Sequence, residues 1–426
     1  MKTPLVRRRT LLSMSYAQTR RTVAIASVLL VACGLAVASP VKSVGPMTFA
    51  DSDTLVVADW RAQELHAFKL PPTPAVAARP FNLGNVSTPI ADALHVRPDK
   101  IVFEHMAFRP GAEIAYVALS VDRGGKTAAP AIVSIDSSGK VKVLPLDKLP
   151  QTSARITSVP AADRKFWRDI PEATLTVTDL VSNQGKLYVA GLGSGEFAST
   201  LRIYDFPFDD HATATTVEMY HPVHDQLETR APIRKMTVVT LDGEPSLVAA
   251  YTCTPLVVIP LKDLVDGAHV RGTTIAELGW GSAPVAMLGF DTPQGAQLLL
   301  ANSAKSADLM PVSAIAAAAK QPSISTPIQV PTSPLAGLKS TYLPLTGLDQ
   351  AAMQDAQFVG ALRRTPATGA MQLVSFRVGA FLRVSDFVNE YDFDDFHYRA
   401  GDPFRSAHVV MRTDEGYPEL AARSAP

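Results

Sequence analysis

Residues 246–261, SLVAAYTCTPLVVIPL, place two short apolar runs on either side of a small polar break. Each run is long enough for a strand and too short for a helix. Both are rich in Val, Leu and Ile, so they read as adjacent buried strands, with Thr254-Pro255 as the punctuation between them. The same grammar recurs in LVVADWRAQELHAFKL (55–70), LYVAGLGSGEFASTLRIYDF (187–206) and LLLANSAKSADLMPVSA (298–314), and more loosely at 115–124 and 357–365. The chain is therefore built on an internal repeat.

Working outward, the first strand of each unit falls near Thr48, Val102, Thr174, Ile233, Pro284 and Gly337. The period is about fifty residues, with three or four short strands per unit. One such sheet cannot bury both faces, and radial stacking gives each face a neighbour. The expected fold is all-β, a β-propeller of six blades over residues 47–378, with seven as the alternative count. Gln184-Gly185 and Asp242-Gly243 read as hairpin turns, the second being the strongest such signal in the chain. The proline-bearing stretch 71–98 is expected to cross between units, and the polar stretch 149–171 to be a surface loop carrying Trp167. A helical turn is expected near 316–319. The last strand of the fifth unit is placed at 328–330, and the first strand of the sixth at 337–345.

Of 426 residues 47% are hydrophobic, ample for a core, while 33 prolines and a break every ten or so residues argue against a helical protein. Lys plus Arg and Asp plus Glu both number 40. That balance leaves no basic footprint, so nucleic-acid binding is excluded as a leading class.

At the N-terminus, Arg7, Arg8, Arg9, Arg20 and Arg21 precede an apolar run over 23–38 that ends in Ala36-Val37-Ala38. No acidic residue occurs before Asp51. Residues 1–38 therefore read as a secretory signal cleaved after Ala38, with 39–46 as a linker. The run is short for a membrane-spanning helix, which makes a retained anchor the lesser alternative. Leu30-Val31-Ala32-Cys33 resembles a bacterial lipobox, which would make Cys33 a lipid-bearing terminus, and Thr19-Arg20-Arg21 resembles a twin-arginine export motif. Each route leads to a periplasmic or secreted protein, touching membrane only through a lipid anchor or an uncleaved signal. With the signal removed Cys253 stands alone, and its apolar setting beside Pro255 reads as buried and inert.

The unit TLVVADWRAQELHAFKL (54–70) resembles the strand-turn-strand core of NHL-type and gluconolactonase-type propellers, a likeness that specifies fold more than chemistry. The stretches VTDLVSNQGKLYVAGLGSGEFASTLRIYDFPF, GEPSLVAAYTCTPLVVIPL and GTTIAELG are similar to a group of exported bacterial β-propeller proteins, over roughly 101–302. That resemblance implies fold and export and brings no activity.

In a propeller the inner strands line a central channel, so a site is assembled about one residue per blade. The candidates are Glu104, His105, Asp179, Arg234 and Lys235, while the fifth unit offers only Ala286. Asp59 and Asn302 join them as ligand-binding candidates at the same mouth. The leading expectation is a binding or scaffold protein that engages a small ligand or a protein partner there. An alternative is a calcium-dependent, lactonase-like hydrolase. A hard cation wants several oxygens, which Glu104, Asp179 and Asn302 could supply, with His105 as general base. Arg234 and Lys235 beside the metal, and Ala286 where a ligand is needed, weigh against it. A third reading is a redox accessory: His221 and His224, in HPVHD, can hold zinc or copper, and Cys253 would complete a His₂Cys centre.

GxSxG, P-loop and CxxCH patterns are absent, and Gly191-Leu192-Gly193-Ser194-Gly195 joins two strands as a hairpin. Residues 379–426 fall outside the repeat. There Glu390, Asp392, Asp394, Asp395 and Asp402 alternate with Phe and Tyr, reading as a solvated face, as a tail that binds calcium or a partner, or as a strand and loop that packs beneath the propeller.

Overall fold

Six sheets, antiparallel but for one parallel pairing of His269–Arg271 with Ala212–His221, stand around a central axis in a computed structural model that describes residues 40–76, 79–209, 211–279, 281–329, 335–365, 368–381, 383, 390–393 and 395–415. The expected signal and lipobox, with Cys33, and also Val330 and Asp394, lie outside the described residues. The protein is a six-bladed β-propeller. Its inner strands are Met47–Phe49, Ile101–Phe108, Asp179–Asn183, Lys235–Leu241, Pro284–Thr292 and Leu348–Met353, and the blades are numbered 1 to 6 in that order.

Local chemistry explains the hairpins. Gln184 and Gly185, at φ 49° and 74°, and Asp242 and Gly243, at 49° and 88°, adopt the left-handed pair of a tight turn whose twist matches the flanking strands. The second and third strands of each blade are the apolar runs of the repeat. In blade 4, Glu244–Ala250 pairs with Pro255–Pro260, and Leu247, Val248, Ala249 and Leu256 are wholly buried. Residues alternate between the two faces of such a strand, so one strand serves two inter-blade cores. Val248 and Ala250 pack toward blade 5, and Leu247 and Ala249 toward blade 3.

The blades do not follow one another around the ring in chain order. Neighbouring inner strands, and the buried cluster at each interface, run 1, 3, 4, 5, 6, 2 and back to 1. After three strands of blade 1 the chain crosses to blade 6, where Asn82–Leu83 pairs with Met371–Arg377 as that blade's outermost strand. The helix Ser87–Leu94 follows, burying Ile90, Ala91 and Leu94. Blade 2 is built next, and Gln151–Arg155 then returns to complete blade 1 against Glu64–Lys69. The stretch 71–98 does cross between units, as expected. The stretch 149–171 is more than a surface loop, because it contains this closing strand. Ring closure thus lies within the first 155 residues, where each crossing strand satisfies an open sheet edge.

The sixth blade departs from expectation. Its inner strand is Leu348–Met353, while Thr341–Leu343 is the outer strand of blade 5 and Ala336–Gly337 pairs with blade 4. The fifth blade therefore does not take its last strand from 328–330. The alanine-rich segment is the helix Val312–Ala319. Gly360 marks a close approach across the ring closure, since a Cβ there would overlap the Phe108 ring of blade 2.

Beyond the blades, Phe381 is buried against Phe290, and Arg383 binds Asn82 Oδ1 at 2.6 Å, so the tail packs on the closing strand of blade 6. Phe404–Asp414 is a helix. Asp392 receives His408 at 3.1 Å and Arg412 at 3.2 Å, so that acidic side chain is engaged within the tail.

Candidate functional site

Every inner strand runs away from one face of the ring, and every second strand returns to it, as the registers Met47↔Val57, Asp179↔Ala190 and Lys235↔Ala250 require. On this entry face the channel opens into a cavity of about 420 Å³ to which each blade contributes. Blade 2 supplies Glu104 and His105, blade 4 supplies Arg234 and Lys235, and blade 6 supplies Asp349 and Gln350. Blade 3 adds Thr178, blade 5 adds Pro284 and Val285, and blade 1 adds Ser43, Trp60 and Arg61. A second cavity of about 370 Å³ lies deeper in the channel, and His105 and Lys235 line both.

Three of the inner strands carry a β-bulge at the mouth. Register slips past Glu104, Val285 and Asp349, which face no partner across their hairpins. These blades, 2, 5 and 6, are consecutive around the ring. A bulge frees one residue from the ladder and re-aims its side chain, and all three of these line the cavity.

The electrostatics are mixed. Asp349 pairs with Arg364 at 2.8 Å, and Lys235 Nζ donates to Asp179 Oδ1 at 2.9 Å. Met236 N donates to the other oxygen of Asp179 at 2.8 Å. Glu104 and Arg234 make no ion pair among the described residues, and blades 2 and 4 face each other across the ring. His105 Nδ1 accepts from Met47 N at 3.3 Å. Its pKa lies well below the ordinary imidazole value, chiefly because it sits deep in the channel, with Lys235 adding to the effect. The ring is therefore neutral at pH 7. Arg61 stands over Trp60 at 4.9 Å from the ring centroid.

Asp59 and Asn302 end the second strands of blades 1 and 5 on the same face, yet neither lines the cavity. Asp59 is wholly buried and accepts from Lys42 N, Ser43 Oγ, Arg61 N and Ala62 N at 2.6 to 3.0 Å, and His66 Nε2 lies 3.5 Å away. Burial opposes the charge, and His66, Ser43, Ala62 and Lys42 overcome it, holding the carboxyl at about 2. Asp59 thus fastens the strip 42–46 and the turn at Arg61, which form part of the rim. Asn302 Nδ2 donates to Asp308 Oδ2 at 2.8 Å and to Ser306 O at 3.1 Å within its own blade.

The calcium set expected from Glu104, Asp179 and Asn302 is therefore not brought together. Glu104 lies in the outer cavity, Asp179 in the inner one with Lys235 on its oxygen, and Asn302 in neither. Sequence reasoning missed Asp349, Gln350, Trp60, Arg61 and Thr178. The first two were lost with the misplaced inner strand of blade 6. The polar LDQ that precedes AAM, in place of an apolar run, was the signal that could have found them.

Two further features share the entry face. Lys165–Phe166 and Ile170–Pro171 form a small hairpin that leads into the rim residues Thr174 and Leu175. Its tip exposes Phe166, Ile170 and Trp167, the last 72% accessible. Radially outward, between blades 3 and 4, His221, His224 and Cys253 place one nitrogen of each ring and the sulfur within 4.8 Å of one another. Glu228 Oε1 accepts from Nδ1 of both rings, at 2.9 Å from His221. Glu277 is wholly buried with Oε2 3.6 Å from His221 Nε2, and burial pushes its pKa up to about 8.

No family model matches the chain, and no curated protein matches it in sequence. Among solved structures, a chain of a mitotic checkpoint complex is similar at 9% identity and a TM-score of 0.33, covering 79% of this chain and 90% of that one. A chain of the BBS1N complex with ARL6DN is similar at 10% identity and a TM-score of 0.28, covering 80% and 96% respectively. At these scores neither likeness bears on function.

Proposed function

We propose that the protein is an exported binding or scaffold propeller whose entry face engages a protein partner. In this reading the hairpin 165–171 is the anchor, and the polar mouth receives a charged group of the partner. The observation that carries the reading is the set of three bulges in adjacent blades, at Glu104, Val285 and Asp349, whose residues line one cavity together with Arg234 and Lys235. Bulges that depart from the regular ladder at one place mark a built site. Beside it stands an aromatic tip of the kind that dominates interface energetics. Glu104 and Arg234, both without an ion pair among the described residues, favour a partner segment bearing both signs of charge, which would be steered by complementarity. Export rests on the N-terminal pattern of residues 1–38.

Photo-crosslinking residues placed singly at positions 167, 234 and 294 test this. Position 294 lies in the turn of blade 5 on the opposite face. One partner captured at 167 and 234 but not at 294, and lost on Trp167→Ala, is the expected result. Equal capture from the opposite face, or capture indifferent to Trp167, overturns it.

A further inference from the structure

The geometry points to a transition-metal site outside the channel, formed by His221, His224 and Cys253, that takes a borderline-soft ion of the zinc or copper class, with the Glu277 carboxylate standing against His221. The donors come from two blades. His221 ends the outer strand Ala212–His221 of blade 3 and His224 follows in its turn, while Cys253 and Glu277 belong to blade 4. His221, His224 and Cys253 converge because those strand ends reach the entry face, and Glu277 stands 3.6 Å from His221 Nε2. One sulfur and two imidazoles form a donor set that suits zinc, with a fourth position left for another ligand, and copper in a trigonal arrangement with a weak fourth ligand.

Three independent features single the cluster out from a chance meeting. First, Nδ1 of both histidines is engaged by the same Glu228 oxygen, which leaves Nε2 of each ring to ligate. A carboxylate behind a ligating imidazole is the usual device for fixing ring orientation and raising donor strength. Second, His221 Nε2 and Glu277 Oε2 are buried and without a hydrogen-bond partner, 3.6 Å apart. Buried polar atoms are nearly always satisfied, so two orphans facing each other beside a thiol call for a ligand. Third, Cys253 and Thr254 hold φ of 65° and 61°, a left-handed pair in which neither residue is glycine. Cys253 N donates to Ser282 O at 2.8 Å, Thr254 N to Tyr251 O at 2.9 Å, and Thr254 Oγ1 to Gly279 O at 2.8 Å. Strain held in place by surrounding bonds is a mark of functional positions. Here it presents the sulfur to the histidines. His224 is 45% exposed on its side chain and opens a path to solvent.

The test uses the full chain carrying Cys33→Ser, so that Cys253 is the one thiol. Apo protein is titrated with Zn²⁺ against a chromophoric chelator, and separately with Co²⁺ and Cu²⁺ as spectroscopic probes. One ion per chain, a thiolate-to-metal charge-transfer band, and a metal-dependent rise in melting temperature are expected. Cys253→Ser should abolish the band, His224→Ala should weaken Zn²⁺ at least tenfold, and Glu228→Gln, which leaves every ligand in place, should weaken it about 10- to 100-fold. Binding that survives Cys253→Ser, or the lack of a charge-transfer band with either probe, overturns the proposal. Because His224 lies at the surface, its variant keeps the test open even if a substitution at the buried His221 fails to fold.

Discussion

Asp59 offers the sharpest test of how the rim is held. Asparagine keeps its shape but turns an acceptor into a donor that faces Lys42 N or Arg61 N. The carboxyl, at about 2 against 3.8 for an ordinary aspartate, is depressed in the fold. At about 1.4 kcal/mol per pKa unit, the native contacts favour the charged form by about 2.5 kcal/mol. The folded pKa is below the unfolded one. The stabilisation is therefore fully present above about pH 4 and is lost as pH falls through about 2. Urea unfolding of wild type and Asp59→Asn at neutral pH should differ by about 2 to 3 kcal/mol, the cost of leaving buried donors unmatched. The gap should close as acid is added, because only the wild type loses the charge. Parallel stability curves from about pH 5 to pH 2, or a neutral-pH difference below about 0.5 kcal/mol, would refute the argument that this carboxylate ties down the strip 42–46.

Lys235→Met strips Asp179 of its charged partner at the waist of the channel and should cost about 3 to 5 kcal/mol in denaturant unfolding, while adding Asp179→Leu should recover most of that loss. Gly360→Val drives a side chain into the Phe108 ring across the ring closure, with an expected loss of about 1 to 3 kcal/mol by thermal unfolding; Phe108→Ala in the same chain should relieve part of it, seen as a favourable coupling in a double-mutant cycle.

Much of the architecture was legible in the residues. Apolar runs of strand length, separated by Gly and Pro turns at a period of about fifty, specify blades because backbone geometry and burial act locally. The turns at Gln184-Gly185 and Asp242-Gly243 formed where their chemistry requires, and Glu104, His105, Arg234 and Lys235 line the mouth because a repeat places equivalent positions on one face. The blade order around the ring was not legible. That Asn82–Leu83 joins blade 6 and Gln151–Arg155 joins blade 1 depends on which sheet edges remain open once the ring closes, a property of the assembled whole. The bulges at Glu104, Val285 and Asp349 are likewise set by hairpin register, which single-residue preferences do not encode. The meeting of His221 and His224 with Cys253 belongs to the same class. The sequence by itself placed these residues at strand ends, and only the packing of blade 3 against blade 4 brought the two strand ends within reach of one ion.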